Sequence, residues 1–244
     1  MAFNFDKKPL SIWLSFQQGL IVIALLAGFT ALYAYSIGIP FYSSDAQVMY
    51  NTAWELSHSG KLNVSPAPLP QLIQGHDDLI YSKYDVGLPL LASHIIYYAD
   101  GVAKASGADR YAVGAIFVMF IPNICMALAN VGCYLLALHI SHSTRRALIS
   151  ALVCGLGTTV WPYGRLFFAE AITTATLTLA MVWLFVPSKL KAIHIIGAGL
   201  LMSIALISRI HTLIFAIVLF YPIWQRTQTP SQRIRYLLLY SIAF

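Results

Sequence analysis

Ionisable residues interrupt the apolar runs of this chain at a few places. Asp45 stands just beyond the first run, Arg165 and Glu170 flank a short polar turn, and Arg209 lies within the longest run beside His211. An arginine at the centre of a membrane helix costs about 2.5–3.5 kcal/mol on insertion scales. A turn opening to a cavity, or a bound phosphate, would relieve that cost. Arg165 and Glu170 either pair with each other or serve function, as ionisable groups at membrane depth do.

Composition predicts that these residues belong to an all-α, polytopic membrane protein. The chain is 59% hydrophobic and 10% charged, whereas soluble domains carry about 25% charged residues. Such a chain has too little polar surface to coat a water-facing shell. The net charge of +6 comes from basic residues grouped at the ends of apolar runs, which is typical of membrane flanks, and we expect no nucleic-acid partner.

The apolar runs predict about seven transmembrane helices in a single transmembrane domain over residues 1–244. They cover Leu14–Ile39, Tyr111–Ile140, Ala147–Tyr163, Phe167–Val186 and Ala192–Trp224, and an incomplete last run begins at Tyr236. We interpret Ala192–Trp224 as two short passes that turn near Ser208–His211. Val86–Ala103 is short for a span and contains Pro89, His94 and Asp100, so its crossing has to be decided by charge.

Basic residues decide the orientation. If Val86–Ala103 does not cross, nine of the fifteen Lys and Arg fall on one side: Lys7, Lys8, Arg145, Arg146, Lys189, Lys191, Arg226, Arg233 and Arg235. The positive-inside rule favours that arrangement. It predicts a multi-pass protein with a cytoplasmic N-terminus and an extracytoplasmic loop over residues 40–110. A site in that loop would face the periplasm, the extracellular side or a lumen.

Two interfacial juxtamembrane helices are predicted in this loop. Ser44-Asp45-Ala46-Gln47 fits a capping box, and Gly60 stands where the helix Asp45–Ser59 would end. The second helix opens at Asp85 and continues through Ala103. Asp45 is then either a charge favoured by the helix dipole or a functional carboxylate.

The order of these features resembles the N-terminal half of the GT-C glycosyltransferases, which take a sugar from a polyprenyl-phosphate carrier. The likeness is to the group of the protein mannosyltransferases and the lipid A aminoarabinose transferase. It rests on Asp45 after the first span, the stretch Tyr84-Asp85-Val86-Gly87-Leu88-Pro89-Leu90-Leu91, Arg110 before the next span, Tyr163–Glu170 and Ser203–Arg209. The family's Lys-Pro-Pro-Leu is Gly-Leu-Pro-Leu here, and typical members are much longer.

The resemblance implies roles for these residues. Asp45 would be the general base on an acceptor hydroxyl. Arg209, Arg165, Arg110 and Lys83 would bind the donor phosphate, although Arg110 and Lys83 also suit interfacial anchors. Further cavity candidates are Asp85, Glu170 and His211. The partners would be the lipid bilayer, a polyprenyl-phosphate-linked sugar, and a lipid, glycan or protein acceptor.

Other interpretations remain open at this stage. His76, Asp77 and Asp78 have the residue types of a metal site, but adjacent residues point in different directions, so no metal ligands are assigned. A divalent cofactor is neither assigned nor excluded. A transporter or flippase would also carry intramembrane charges, although no internal repeat is visible. A non-catalytic subunit of a larger membrane assembly is the third class.

Overall fold

The computed structural model describes residues 15–38, 41, 43–65, 69–227 and 229–244, and these residues are mostly helical. The all-α prediction is thereby confirmed, with one small β-hairpin added. The elements are α1 Phe16–Tyr35, α2 Ser44–Ser59, β1 Leu72–Gln74, β2 Ile80–Ser82, α3 Gly87–Ser106, α4 Arg110–Val118, α5 Phe120–Ser141, α6 Thr144–Gly157, α7 Val160–Gly164, α8 Ala169–Phe185, α9 Ala192–Ser208, α10 Leu213–Val218, α11 Phe220–Arg226 and α12 Pro230–Ala243.

Within the described part of the chain, two helical stretches are long and apolar enough to cross a bilayer. They are Phe16–Tyr35 and Arg110–Ser141, the second comprising α4 and α5. Three shorter apolar helical stretches accompany them: Ala169–Phe185, Ala192–Ser208 and Ile210–Arg226. Most of the predicted apolar runs are therefore helical.

Prolines explain why several runs are divided. Pro122 lacks an N–H and its ring clashes with the carbonyl four residues earlier, which belongs to Val118, the last residue of α4. Pro222 has the same relation to Val218, the last residue of α10. The sequence therefore places these breaks locally, without help from tertiary contacts.

The N-terminus of α2 corrects the predicted capping box by one residue. Ser43, not Ser44, is the N-cap, and its hydroxyl accepts a hydrogen bond from the Ala46 amide at 3.2 Å. Gly60 ends the helix with φ of 68°, as predicted. Asp45 lies in the first helical turn, where the helix dipole favours a negative charge.

The hairpin between α2 and α3 was not predicted. β1 and β2 pair antiparallel, with Leu72 opposite Ser82, and the Lys83 amide donates to the Gln71 carbonyl at 3.0 Å. Gln71 and Tyr84 flank the paired strands, so the hairpin brings these two positions to the same end.

The bundle has two ends, which we name after Asp45 and Arg226. At the Asp45 end lie the starts of α2, α3 and α8 and the C-terminus of α9, joined by contacts described below. At the Arg226 end, the guanidinium donates to carbonyls in the last turn of α8 and just after it, those of Leu184, Phe185, Pro187 and Ser188. The segment from Arg209 to Arg226 therefore runs back alongside α9, and the predicted turn near Ser208–His211 is present.

Three apolar clusters hold these helices together. One joins α2, α3 and α4 to the start of α8 around Met49, Leu88 and Phe167. A second joins α1, α5 and α6, and a third joins α8 and α9 to α11 and α12. Because burial of apolar surface contributes roughly 25 cal/mol per Å², the first cluster stabilises the Asp45 end.

Candidate functional site

Asp45 is held by a side chain that lies just before the hairpin strands. The Gln71 amide nitrogen donates to Asp45 Oδ1 at 2.8 Å and to Ser44 Oγ at 2.6 Å. Tyr84 lies close to the same carboxylate, which helps to raise the pKa of its phenol. Gln71 is only 8% exposed. A donor from outside its own helix therefore orients this carboxylate.

Tyr84 links Asp45 to the cations of the site. Burial, and next the nearby Asp45 carboxylate, raise the pKa of Tyr84 to about 12, so the phenol stays protonated near neutral pH. Its ring lies 5.4 Å from Lys83 Nζ and 6.0 Å from the Arg209 guanidinium carbon, within the range of cation–π attraction. One side chain thus contacts two candidate phosphate ligands and lies near the candidate base.

Arg209 stands at a break between two helices. Its backbone is extended, with φ of −156° and ψ of 108°, between α9 and a single 3-10 turn over Ile210–Thr212. Its Nη2 donates to Glu170 Oε1, at the start of α8. Glu170 therefore pairs with Arg209, and the pairing with Arg165 considered from the sequence is wrong. The break allows the guanidinium to leave the axis of the apolar run and reach this carboxylate.

Two contacts tie the start of α3 to this break. Gly87 packs so closely on Ser208 that an added Cβ would lie 2.7 Å from the Ser208 backbone nitrogen and Cα. Two residues after Ser208, the Ile210 amide donates to Oδ2 of Asp85, two residues before Gly87, at 3.3 Å. Asp85 thus belongs to the site as a support for the turn that carries Arg209.

Unused hydrogen-bonding capacity is concentrated here. Among the described residues, nine buried side-chain nitrogen or oxygen atoms have no hydrogen-bond partner, and four of them belong to this cluster: Gln71 Oε1, Glu170 Oε2, Ser208 Oγ and Arg209 Nε. Leaving a buried polar atom unpaired costs about 1–3 kcal/mol. The set contains acceptors, a cationic donor and a hydroxyl. A ligand carrying both hydroxyl groups and an anionic group would satisfy all of them.

Arg110 does not join this cluster. Its Nε donates to Asp100 Oδ1 at 3.2 Å, and its Nη2 lies 2.9 Å from Nε2 of His58. His58 also contacts Asp100, at 2.9 Å. His58 is thirteen residues after Asp45 on α2, which corresponds to about 20 Å. The predicted role of Arg110 at the donor phosphate is therefore not supported by its position.

The remaining predicted residues lie at the margin. Lys83 and His211 are exposed beside Tyr84 and Arg209, respectively. Arg165 is exposed after α7 and, within the described residues, makes no side-chain hydrogen bond or ion pair. The site is therefore formed by Asp45, Asp85, Glu170 and Arg209, with Lys83 at its edge.

Gln71 and Tyr84 were missed as functional candidates. Tyr84 begins one of the stretches on which the family resemblance rests, but it received no role, and Gln71 was not considered. Both are uncharged, and only pairing of the hairpin strands brings them together. The cluster of three prolines at 66, 68 and 70 was the available signal that the chain turns back in this region.

The described residues contain no group of three or more His, Cys, Asp or Glu side chains arranged to hold a metal ion. His76, Asp77 and Asp78 thus do not form such a group, and Asp77 instead accepts a hydrogen bond from the Tyr81 hydroxyl at 2.6 Å. No family model, curated protein or solved structure matches this chain.

Proposed function

We propose that this protein is an integral-membrane glycosyltransferase. It would move a sugar from a polyprenyl-phosphate carrier to a lipid, glycan or protein acceptor on the extracytoplasmic side. The observation that carries the proposal is the convergence of Asp45, Tyr84, Glu170 and Arg209 at one end of an apolar helix bundle. These residues come from distant parts of the sequence, and unpaired polar atoms lie among them.

The proposed topology has about seven spans, with the Asp45 end outside the cytoplasm. Successive helices from α5 onward lead back and forth between the two ends, and seven of the nine basic residues assigned to the cytoplasm are among the described residues. The paired passes α9 and α10–α11 are short individually, but together they complete a hairpin with Arg209 at its tip. The positive-inside rule favours this orientation.

Asp45 is proposed as the general base. An acceptor hydroxyl is a weak nucleophile at neutral pH, and a carboxylate about 3 Å away can take its proton as the bond to the anomeric carbon forms. Gln71 directs the carboxylate. Its place in the first turn of α2, near the apolar part of the bundle, suits a substrate whose reacting group sits at the headgroup level of a bilayer.

Arg209 is proposed as the main ligand of the leaving phosphate. A guanidinium meets phosphate oxygens with several donors and stabilises the negative charge that develops on the leaving group. Glu170 occupies Nη2, whereas Nε is buried and has no partner among the described residues. Lys83, which also lies against the Tyr84 ring, adds a second cation.

Sugar transfer in reconstituted membranes tests the proposal, with donor affinity measured in parallel. Asp45→Asn keeps the size of the side chain but cannot accept a proton, so transfer should fall about 10²–10⁴-fold while donor binding changes little. Arg209→Ala should weaken donor binding as well as turnover, because the phosphate is charged in both ground and transition states.

Glu55→Gln is the matched control, since it removes a carboxylate ten residues further along the same helix. It should leave transfer unchanged. If Asp45→Asn transfers sugar at the wild-type rate, Asp45 is a helix-terminal charge only. If the wild-type protein neither binds a polyprenyl-phosphate sugar nor transfers it, the non-catalytic subunit becomes the better interpretation.

A further inference from the structure

Charge is divided sharply between the two ends of the bundle. The eight described acidic residues lie in α2, the hairpin, α3 and the segments at the starts of α4 and α8: Asp45, Glu55, Asp77, Asp78, Asp85, Asp100, Asp109 and Glu170. The Arg226 end carries seven Lys and Arg: Arg145, Arg146, Lys189, Lys191, Arg226, Arg233 and Arg235. No acidic residue of the described chain lies at that end.

Two histidines lie at the same end of the bundle as Arg226. His139, at the end of α5, lies within electrostatic reach of Arg226 and His142. His194, in the first turn of α9, lies within reach of Lys191 and Arg226. Arg226 itself is engaged by backbone carbonyls, but Nδ1 of His139 is buried and has no partner among the described residues. A phosphate oxygen at this position would give Nδ1 of His139 an acceptor for a hydrogen bond.

Around this group the remaining cations are free to meet a ligand. Arg145, Arg146, Lys189, Lys191 and Arg235 are exposed, and within the described residues their side chains form no hydrogen bond or ion pair. Arg233 lies 4.9 Å from the ring of Trp224, which is 53% exposed. Tryptophan beside basic residues is typical of the headgroup level of a membrane.

We infer that the Arg226 end binds the headgroups of anionic lipids, with the phosphate held by His139 and by the exposed Lys189 and Lys191. This inference needs the proposed membrane placement and does not depend on the reaction at Asp45. Each basic residue near an anionic lipid surface strengthens attraction by about 1 kcal/mol, which is about fivefold in binding. Mobile salt ions screen exposed charges over about 8–10 Å at physiological ionic strength.

Native mass spectrometry of the purified chain in neutral detergent tests this inference, with phosphatidylglycerol and phosphatidylcholine as probes. We expect phosphatidylglycerol to bind more tightly than phosphatidylcholine. The double variant Lys189→Gln/Lys191→Gln should lower phosphatidylglycerol affinity roughly 10- to 30-fold, because two exposed cations are removed. Both lysines lie in the loop before α9, outside the apolar clusters.

The matched control is Lys61→Gln/Lys104→Gln, which removes the same charge from exposed positions after α2 and in α3. Its phosphatidylglycerol affinity should remain that of the wild type. Equal binding of the two lipids would overturn the inference. An equal loss in both double variants would overturn it as well, because the effect would then come from net charge and not from the Arg226 end.

Discussion

Gly87→Ala should be the most informative small change in this protein. The added Cβ would lie 2.7 Å from the Ser208 Cα, whereas ordinary contact begins at 3.4 Å. Both nearby Ser208 atoms at this distance belong to the backbone, so no side-chain rotation can remove the clash. The start of α3 and the end of α9 would have to separate by about 0.7 Å, the difference between the two distances.

Overpacking of this kind costs about 1–3 kcal/mol in the free energy of unfolding. Gly101→Ala is the matched control, because it lies on the same helix and its added Cβ would meet nothing within 4 Å. Alanine is favoured over glycine in a helix by roughly 0.5–1 kcal/mol. The two identical substitutions should therefore change stability in opposite directions.

Activity adds a second measurement. Ser208 directly precedes Arg209, so separating α3 from α9 moves the guanidinium relative to Tyr84 and Asp45. A misplacement near 1 Å can cost about 10²-fold in rate. Denaturant unfolding in detergent and sugar transfer in reconstituted membranes would measure the two effects. If Gly87→Ala unfolds like the wild type, or Gly101→Ala loses as much stability, the close contact at Ser208 is not real.

Three further predictions concern charge and topology. A hydrogen bond from Arg110, opposed by partial burial and aided by His58, holds the pKa of Asp100 below its usual range. The ionised Asp100 carboxylate should therefore stabilise the fold above about pH 4, and this contribution should vanish as the pH falls through the lowered pKa of the folded state. The thermal unfolding of Asp100→Asn and of the wild type should differ at pH 7 and converge near pH 2. Arg209→Ala should lower the free energy of unfolding by less than the roughly 3–5 kcal/mol lost when a fully buried pair is broken, since the Arg209 and Glu170 side chains are 23% and 34% exposed. Adding Glu170→Gln to this variant should restore part of the lost stability. A further loss of stability in the double variant would contradict the pairing. In a background without native cysteines, Ser65→Cys and Lys189→Cys should react with a membrane-impermeant thiol reagent from opposite sides, and labelling from one side would refute the topology.

Local signals predicted the helices well because their causes are local. Gly60 ends α2 where its positive φ is needed, as predicted. The breaks near Pro122 and Pro222 were not predicted, although their cause is also local, because each proline lacks an N–H group. The cap of α2 was misplaced by one residue because Ser43 and Ser44 are both suitable caps. Only the contact with the Ala46 amide distinguishes them.

The site was predicted less completely because its contacts are distant in sequence. Asp45, Glu170 and Arg209 were visible as charges that an apolar chain would otherwise exclude. Their partners could not be assigned, since Glu170 lies close to Arg165 in sequence but pairs with Arg209. The hairpin strands of three residues each are too short to show alternation, so the role of Gln71 had no sequence signal.

The pairing of Glu170 with Arg209 also has a consequence for biosynthesis. Thirty-nine residues separate the two side chains, so α8 leaves the ribosome before its cation has been made. In the proposed topology, Arg209 is then carried across the bilayer at the tip of the hairpin formed by α9 and α10–α11. A charge moved alone in this way opposes insertion. Glu170 is by then already on the extracytoplasmic side and can pair with Arg209 as the hairpin inserts. Insertion of α8 thus supplies the counter-charge that the following hairpin needs.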